Sequence, residues 1–304
     1  MRSLGIFLAL TGAAFWGIGG TAADYLFTRE NISMNWFVTA RLLISGFLLL
    51  GVQMILKNKR EVFIIWKDPE KRMPLIYFSL FGMLLVQYSY MASIEAGNAA
   101  VATLLQYLAP IYIIIWLVVK KIKPMKFADT AAILITVIGT MLLLTNGSVS
   151  SLSVPVPSVI WGIISGISLA FYTLYATTLL HKYSSITVVG WAMMISGIFM
   201  NFIHPIWQID TSSWTFSTVS VLLFGIICGT TLAFWMFISS LKYITAKETV
   251  LFGTVEPLTA VLSSVLLLSL PFGRYQFIGM IMILVLIVFL SLYREKELSE
   301  ADIS

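Results

Sequence analysis

Ten apolar runs, at residues 4–27, 33–56, 74–94, 99–119, 127–145, 157–180, 186–206, 216–240, 249–269 and 275–293, take up 219 of the 304 residues. Each is 19 to 25 residues long, close to the roughly 20 that an α-helix needs to cross hydrocarbon. Strands of a transmembrane barrel are about half that length and alternate in polarity, and these runs do not alternate. Lipid offers no partner for backbone polar groups, so such segments must pair their amides internally. The pattern predicts an all-α membrane protein of ten transmembrane helices.

Composition agrees and excludes other classes. Hydrophobic residues make up 59% of the chain and charged residues 11%, whereas soluble domains carry about a quarter charged residues. The formal charge is +5, but the positives sort by loop. With the N-terminus placed in the cytoplasm, 16 of the 19 Lys and Arg fall on that side, Arg29 and Arg274 fall outside, and Arg41 lies within a helix. The positive-inside rule therefore puts both termini in the cytoplasm. It also makes the balance an orientation signal, so no nucleic-acid partner is expected. Cys228 is the single cysteine and His181 and His204 are the two histidines, which leaves neither a disulfide nor a Cys/His metal cluster. No metal, cofactor or catalytic set is expected. The first run begins after Met1, Arg2 and Ser3 and lacks a small-residue cleavage pattern, so it reads as a retained helix rather than a removed signal peptide. The outer loops, 28–32, 95–98, 146–156, 208–215 and 270–274, are short and nearly uncharged, and the longest inner loop, Lys57 to Met73, has 17 residues.

The chain also carries an internal echo. Pro110 and Pro257, each deep in its run, are 147 residues apart, as are Pro124 and Pro271; Trp36 and Trp191 are 155 apart, an offset that also sets Trp16 on Phe171 and Gly17 on Tyr172. The offset falls from 155 to 147 because the loop after run 2 is eight residues longer than the loop after run 7. Residues 1–146 and 157–304 then form two five-helix halves. Because five is odd, the second half enters the membrane in the opposite sense. Such an inverted repeat places a substrate site near the bilayer midplane, between the halves.

Phe15-Trp16-Gly17, the stretch Ala99 to Pro110 with its echo Thr249 to Pro257, and Gln276-Phe277-Ile278-Gly279 at the start of the last run, taken with ten helices, resemble the EamA-type, ten-helix branch of the drug/metabolite transporter superfamily. The resemblance covers essentially the whole chain. It implies a multi-pass secondary transporter of small metabolites in the cytoplasmic membrane, often an exporter of amino acids or related compounds. Helices 1–4 and 6–9 would surround a central cavity, with 5 and 10 peripheral. Many members carry Gly-Glu before helices 5 and 10; Lys123 and Leu270 stand there in this chain.

Few residues within the runs can carry transport chemistry. Glu256 lies next to Pro257, and a carboxylate at that depth is costly unless it meets a partner or water. It reads either as a proton-coupling or amine-binding group, or as a structural acceptor beside the proline. Arg41 reads as a clamp for a substrate carboxylate, or as a side chain that snorkels or pairs with Asp24. Asp24 and Asp129, near run ends, need no functional explanation at this stage. Thr103, Gln106, Tyr107 and Pro110 share one face of run 4 at spacings of three and four. Gln87, Tyr88 and Tyr90 in run 3 add polar and aromatic groups. Trp16, Tyr172 and Trp235 fall near mid-run, away from the interfacial belts. These are the candidate substrate-binding residues, with Pro110 and Pro257 as hinges. Aromatic walls beside a carboxylate suit an organic cation, a zwitterion or an aromatic amino acid.

Three classes compete. An intramembrane enzyme needs paired acids, a Ser/His dyad or a metal set. A receptor would normally add a sensing or signalling domain. A transporter needs two stackable halves and a polar seam, which the pattern supplies. The expectation is a secondary transporter of an amino acid or related amine or zwitterion, in the export direction, working by alternating access with a small-molecule substrate and the bilayer as partners. An uptake permease for an organic cation or nucleoside-like solute stays open beside it, as does a membrane receptor, and monomer and homodimer fit equally.

Overall fold

A computed structural model describes residues 1–56, 59–122, 124–148 and 152–301, without the side chains of 56, 59, 60, 128, 246, 247, 250 and 290–301. Several of the orienting charges (Lys57, Lys59, Arg60, Lys123, Lys247, Arg294 and Lys296) therefore lie outside the described side chains.

The described chain is helical throughout. In order come α1 (Arg2–Thr28), α2 (Met34–Leu56), α3 (Lys59–Lys67), α4 (Pro69–Ala96), α5 (Ala99–Gln106), α6 (Ala109–Val119), α7 (Phe127–Thr145), α8 (Val156–Leu180), α9 (Ser185–Ile203), α10 (Phe216–Ser240), α11 (Ala246–Gly253), α12 (Val255–Leu268) and α13 (Arg274–Ala301). Eight segments are long and apolar enough to cross a membrane, if α5–α6 and α11–α12 are each taken together; Asp129–Thr145 and Arg274–Phe289 are shorter apolar helices that also pack on each other.

The structure corrects the sequence reading in three places. The stretch Lys57 to Met73 is not an open loop: α3 lies in it, with Val62 and Ile65 fully buried, and α4 begins already at Pro69. Runs 4 and 9 are broken rather than bent. The breaks fall at Tyr107–Leu108 and at Thr254, and Tyr107 and Thr254 are 147 residues apart. The seventh run ends as helix at Ile203, not at 206.

Matching places recur at the two offsets. α4 and α10 each widen into a π-helical stretch, at Phe78–Leu84 and Phe224–Leu232. Such turns loosen the i→i−4 ladder, and in α10 the Thr230 and Thr231 hydroxyls donate to the Gly225 and Ile226 carbonyls, five residues back. Trp36 of α2 donates its indole N–H to the Ile206 carbonyl just past α9, while Trp191 of α9 donates to the Val62 carbonyl just past α2, at 2.7 and 2.8 Å.

α2 packs along α9, and α7 along α13. α1 packs on α10 and α12, and α8 on α4 and α5. With no hydrophobic drive between helices in lipid, close packing and hydrogen bonds must hold them. Gly19 of α1 meets Gly229 of α10 so closely that a Cβ on either would lie 2.7 Å from the other's Cα. Thr21 Oγ1 and Ser263 Oγ, 2.6 Å apart, tie α1 to α12. Ser93 and Ser158 exchange hydroxyl-to-carbonyl bonds, both 2.8 Å, between α4 and α8.

Candidate functional site

The site grows from the two breaks. Proline has no N–H, so Pro257 leaves the carbonyl four residues back, that of Gly253, without its helical partner. Tyr107, at the break between α5 and α6, supplies a replacement: its hydroxyl lies 2.8 Å from the Gly253 carbonyl. The same hydroxyl lies 2.9 Å from Glu256 Oε2, so one phenolic hydrogen is shared between two acceptors. Glu256 is in the first turn of α12, where free backbone amides favour a carboxylate, and its side chain is buried.

Across the space in front of Glu256 stands Arg41 of α2, also buried. Its Nη1 donates only to the Met91 thioether at 3.5 Å, and its Nε has no hydrogen-bond partner. Among the described residues Arg41 makes no ion pair, though it lies within electrostatic reach of Glu256. Neither sequence reading of Arg41 as snorkelling or as the partner of Asp24 holds. Arg41 is enclosed, and Asp24 instead accepts the Ala99 N–H at 2.9 Å. A guanidinium has five donors, so most of this one's capacity is unused.

Between the two charges lies a cavity of about 450 Å³. Trp16 forms one wall, its ring 4.8 Å from both Phe234 and Phe237. Tyr172 forms another, 4.7 Å from Phe78. Gln106 reaches the same space and is steadied by donating to Ser165 Oγ at 2.7 Å. The enclosure is mostly apolar with one fixed cation, one acid and a few amides and hydroxyls, the usual constitution of a small-molecule site.

Of the sequence candidates, Trp16, Arg41, Gln87, Tyr90, Gln106, Tyr107, Pro110, Tyr172 and Glu256 line this one cavity. Four candidates do not. Thr103 sits behind Tyr90, 2.8 Å from its hydroxyl. Tyr88 packs against Trp161 at 5.8 Å, and Trp235 packs into the main core. Pro257 is buried beside the cavity without lining it. The sequence pattern already set Thr249, Gly253, Glu256 and Pro257 on one face of run 9, and Gly253 lines the cavity; sequence reasoning missed Phe234, Phe237 and Ser165. The expected ring of helices also changes: among the described residues α9 contributes none to the lining, and α13 contributes Ile287.

Comparison with known proteins places the chain. The EamA-like transporter family matches residues 3–145 and 156–292. The uncharacterized inner membrane transporter YicL of Salmonella typhimurium (strain LT2) is 31% identical over 290 residues, 95% of each chain. A solved crystal structure superimposes over 97% of this chain and 99% of its own with a TM-score of 0.65 at 15% identity, which shows a shared fold. This chain belongs to the EamA-like transporter family and is a multi-pass cell-membrane protein.

Proposed function

We propose that this member of the EamA-like transporter family is a secondary transporter, not an enzyme, that exports an amino acid or a related zwitterion by alternating access between two inverted five-helix halves. The observation that carries the reading is the pair of buried opposite charges, Arg41 and Glu256, facing one aromatic-walled cavity without neutralising each other. Arg41 would take the carboxylate as a planar fork. Glu256 would take the ammonium, or exchange it for a proton. The aromatic faces would take the side chain. Ten crossings with both termini in the cytoplasm follow from the distribution of lysine and arginine and belong to the same proposal. The repeat-matched breaks at Tyr107 and Thr254 support the halves as the moving units.

Uptake by proteoliposomes tests this with three solutes of one skeleton: an amino acid, its amide without the carboxylate, and its deaminated acid. Losing one charged hydrogen-bond partner costs about 1.5–3 kcal/mol, a factor of about 10 to 100, so both truncated solutes should compete at least tenfold more weakly. Arg41→Ala should abolish the discrimination against the amide, and Glu256→Gln the discrimination against the acid. Equal loss for all solutes in Arg41→Ala would instead give that residue a structural role. Tight competition by quaternary amines or nucleosides alone would favour the cation or nucleoside permease. Flux that stays pH-dependent at wild-type rates in Glu256→Gln would remove Glu256 from proton coupling.

A further inference from the structure

The helices that line the cavity pack differently at its two ends. At the end where α1 finishes and α5 begins, α1 lies against α4 and α5. A Cβ at Gly20 would press on the Tyr90 hydroxyl and lie 3.7 Å from Ala99 Cβ. One turn further on, Asp24 Oδ2 accepts the Ala99 N–H at 2.9 Å. Ala99 opens α5, and the first amides of a helix have no internal acceptor. Asn98 caps the Val101 N–H from within the chain, while the Ala99 N–H is capped from α1. Asp24 is only 4% exposed. Parting α1 from α5 would strand a carboxylate and an amide together.

The offsets of 155 and 147 carry Gly20 onto Tyr175, Asp24 onto Leu179, Tyr90 onto Phe237 and Ala99 onto Ala246. At that opposite end, among the described residues, α8 makes no comparable packing with α10 or α11. Tyr175 stacks on Phe171 and Phe78, whereas Phe237 packs on Trp16 and lines the cavity.

We infer that Asp24 is a positioning residue of the transport cycle, the latch that holds the outer seam shut against the first amide of α5, with Leu179 standing in its place at the inner seam. The inference rests on the alternating-access reading above. Closing the outer seam gains a charge-assisted hydrogen bond, whereas closing the inner one brings Leu179 toward α11. The molecule therefore rests with its outer seam closed.

Disulfide trapping of the full chain in liposomes, in a Cys228→Ser background, tests this with two reporters. Gly20→Cys with Ala99→Cys reports outer closure, with Tyr90→Phe removing the obstructing hydroxyl; 3.7 Å between Cβ positions suits a disulfide, whose mean is about 3.8 Å. Tyr175→Cys with Phe237→Cys reports inner closure. Asp24→Leu should slow the outer cross-link and speed the inner one, shifting their ratio about tenfold or more. Ala99→Pro, read with the inner reporter, should speed that cross-link similarly, since it deletes the same hydrogen bond from the other side. It should fold, because proline is accepted at the first helical position and Asn98 is already extended, at φ −163° and ψ 162°. Asp24→Asn keeps an acceptor and should hold close to the parent ratio. Unchanged inner trapping in both Asp24→Leu and Ala99→Pro, or an Asp24→Asn ratio as shifted as that of Asp24→Leu, would overturn the latch while leaving transport intact. An inner pair that cross-links in no background would overturn alternating access itself, and the latch with it.

Discussion

The two helix breaks share a backbone and differ in chemistry. Each precedes a proline, and they stand 147 residues apart. In the first break the three positions before the proline's neighbour read Gln106, Tyr107 and Leu108, followed by Ala109; in the second they read Gly253, Thr254 and Val255, followed by Glu256. The first break therefore gives a phenol and an amide, and the second gives a bare carbonyl and an acid. Tyr107 bridges them, binding the carbonyl that the second break frees and the acid beside it. The lesson is a division of labour: symmetry supplies two flexible points, and unlike side chains turn one into donor and the other into acceptor. A symmetric site would put two acids in one apolar cavity, where both could not ionise together.

The harshest way to break the comparison is at Gly17, whose repeat mate is Tyr172. Tyr172 projects into the cavity, but Gly17 sits where α1 crosses α12. A Cβ there would overlap the Glu256 carbonyl oxygen and Thr259 Oγ1 and lie 2.8 Å from the Ala260 nitrogen. Backbone atoms cannot step aside. Gly17→Ala should cost about 1–3 kcal/mol or more and push Glu256 out of register with Tyr107, which shows as a fall in melting temperature together with lost transport. Tyr172→Phe should leave the melting temperature nearly unchanged and alter only substrate competition. Equal thermal losses would mean that the two positions do the same structural work and that the asymmetry is superficial.

A milder test compares Tyr107→Phe with Thr254→Val, the same position in each half. Tyr107→Phe leaves the Gly253 carbonyl and Glu256 without their donor, and an unsatisfied buried group costs about 1–3 kcal/mol. The Thr254 hydroxyl donates only to the Leu251 carbonyl, which the Thr254 N–H already serves, so Thr254→Val should cost well under about 1 kcal/mol. Thermal unfolding in detergent separates the two outcomes. A Thr254→Val loss as large as that of Tyr107→Phe would refute the donor-acceptor division.

Much of this architecture is legible in the chain because lipid leaves few options. Run length gives helices, and the spacing of Pro110, Pro257, Trp36 and Trp191 gives the repeat. Eight substrate-binding candidates and the hinge candidate Pro110 meet in one cavity, the polar ones among them because a polar group on a lipid-compatible helix must turn inward. What stayed hidden depends on contacts distant in sequence. Nothing local marks Tyr107 as the partner of a carbonyl 146 residues away, or Asp24 as the cap of Ala99, 75 residues on. Nearness to a run end made Asp24 look like an interfacial residue, when its helix end is covered by α5. α3 was missed because its nine residues are too short and too charged to register as a run, and it becomes a helix by burying Val62 and Ile65.

The gentlest test lies outside the membrane segments, at the N-caps of α4 and α10, Asp68 and Thr215, which are also 147 residues apart. Both cap alike: Asp68 accepts the Glu70 N–H at 3.1 Å, and Thr215 Oγ1 accepts the Thr218 N–H at 3.1 Å. Asp68 also meets Lys182 Nζ at 2.6 Å and the Tyr183 hydroxyl at 2.8 Å, which ties the start of α4 to the end of α8, whereas the other partner of the Thr215 hydroxyl is the Thr218 hydroxyl in its own cap. The Lys182 and Tyr183 hydrogen bonds hold its carboxyl down to about 2, from an ordinary 3.8. A carboxyl depressed on folding stabilises the fold fully above its unfolded value and loses that contribution as pH falls through the folded one. The melting-temperature gap between the wild type and Asp68→Asn should therefore be small and constant above about pH 5, and should close between about pH 4 and pH 2. Exposed ion pairs contribute little, so the gap should also shrink in high salt. Thr215→Val should give a gap that ignores both pH and salt. If the Asp68 gap ignored them too, the residue would be acting as a cap alone, and the two halves would be alike at this end.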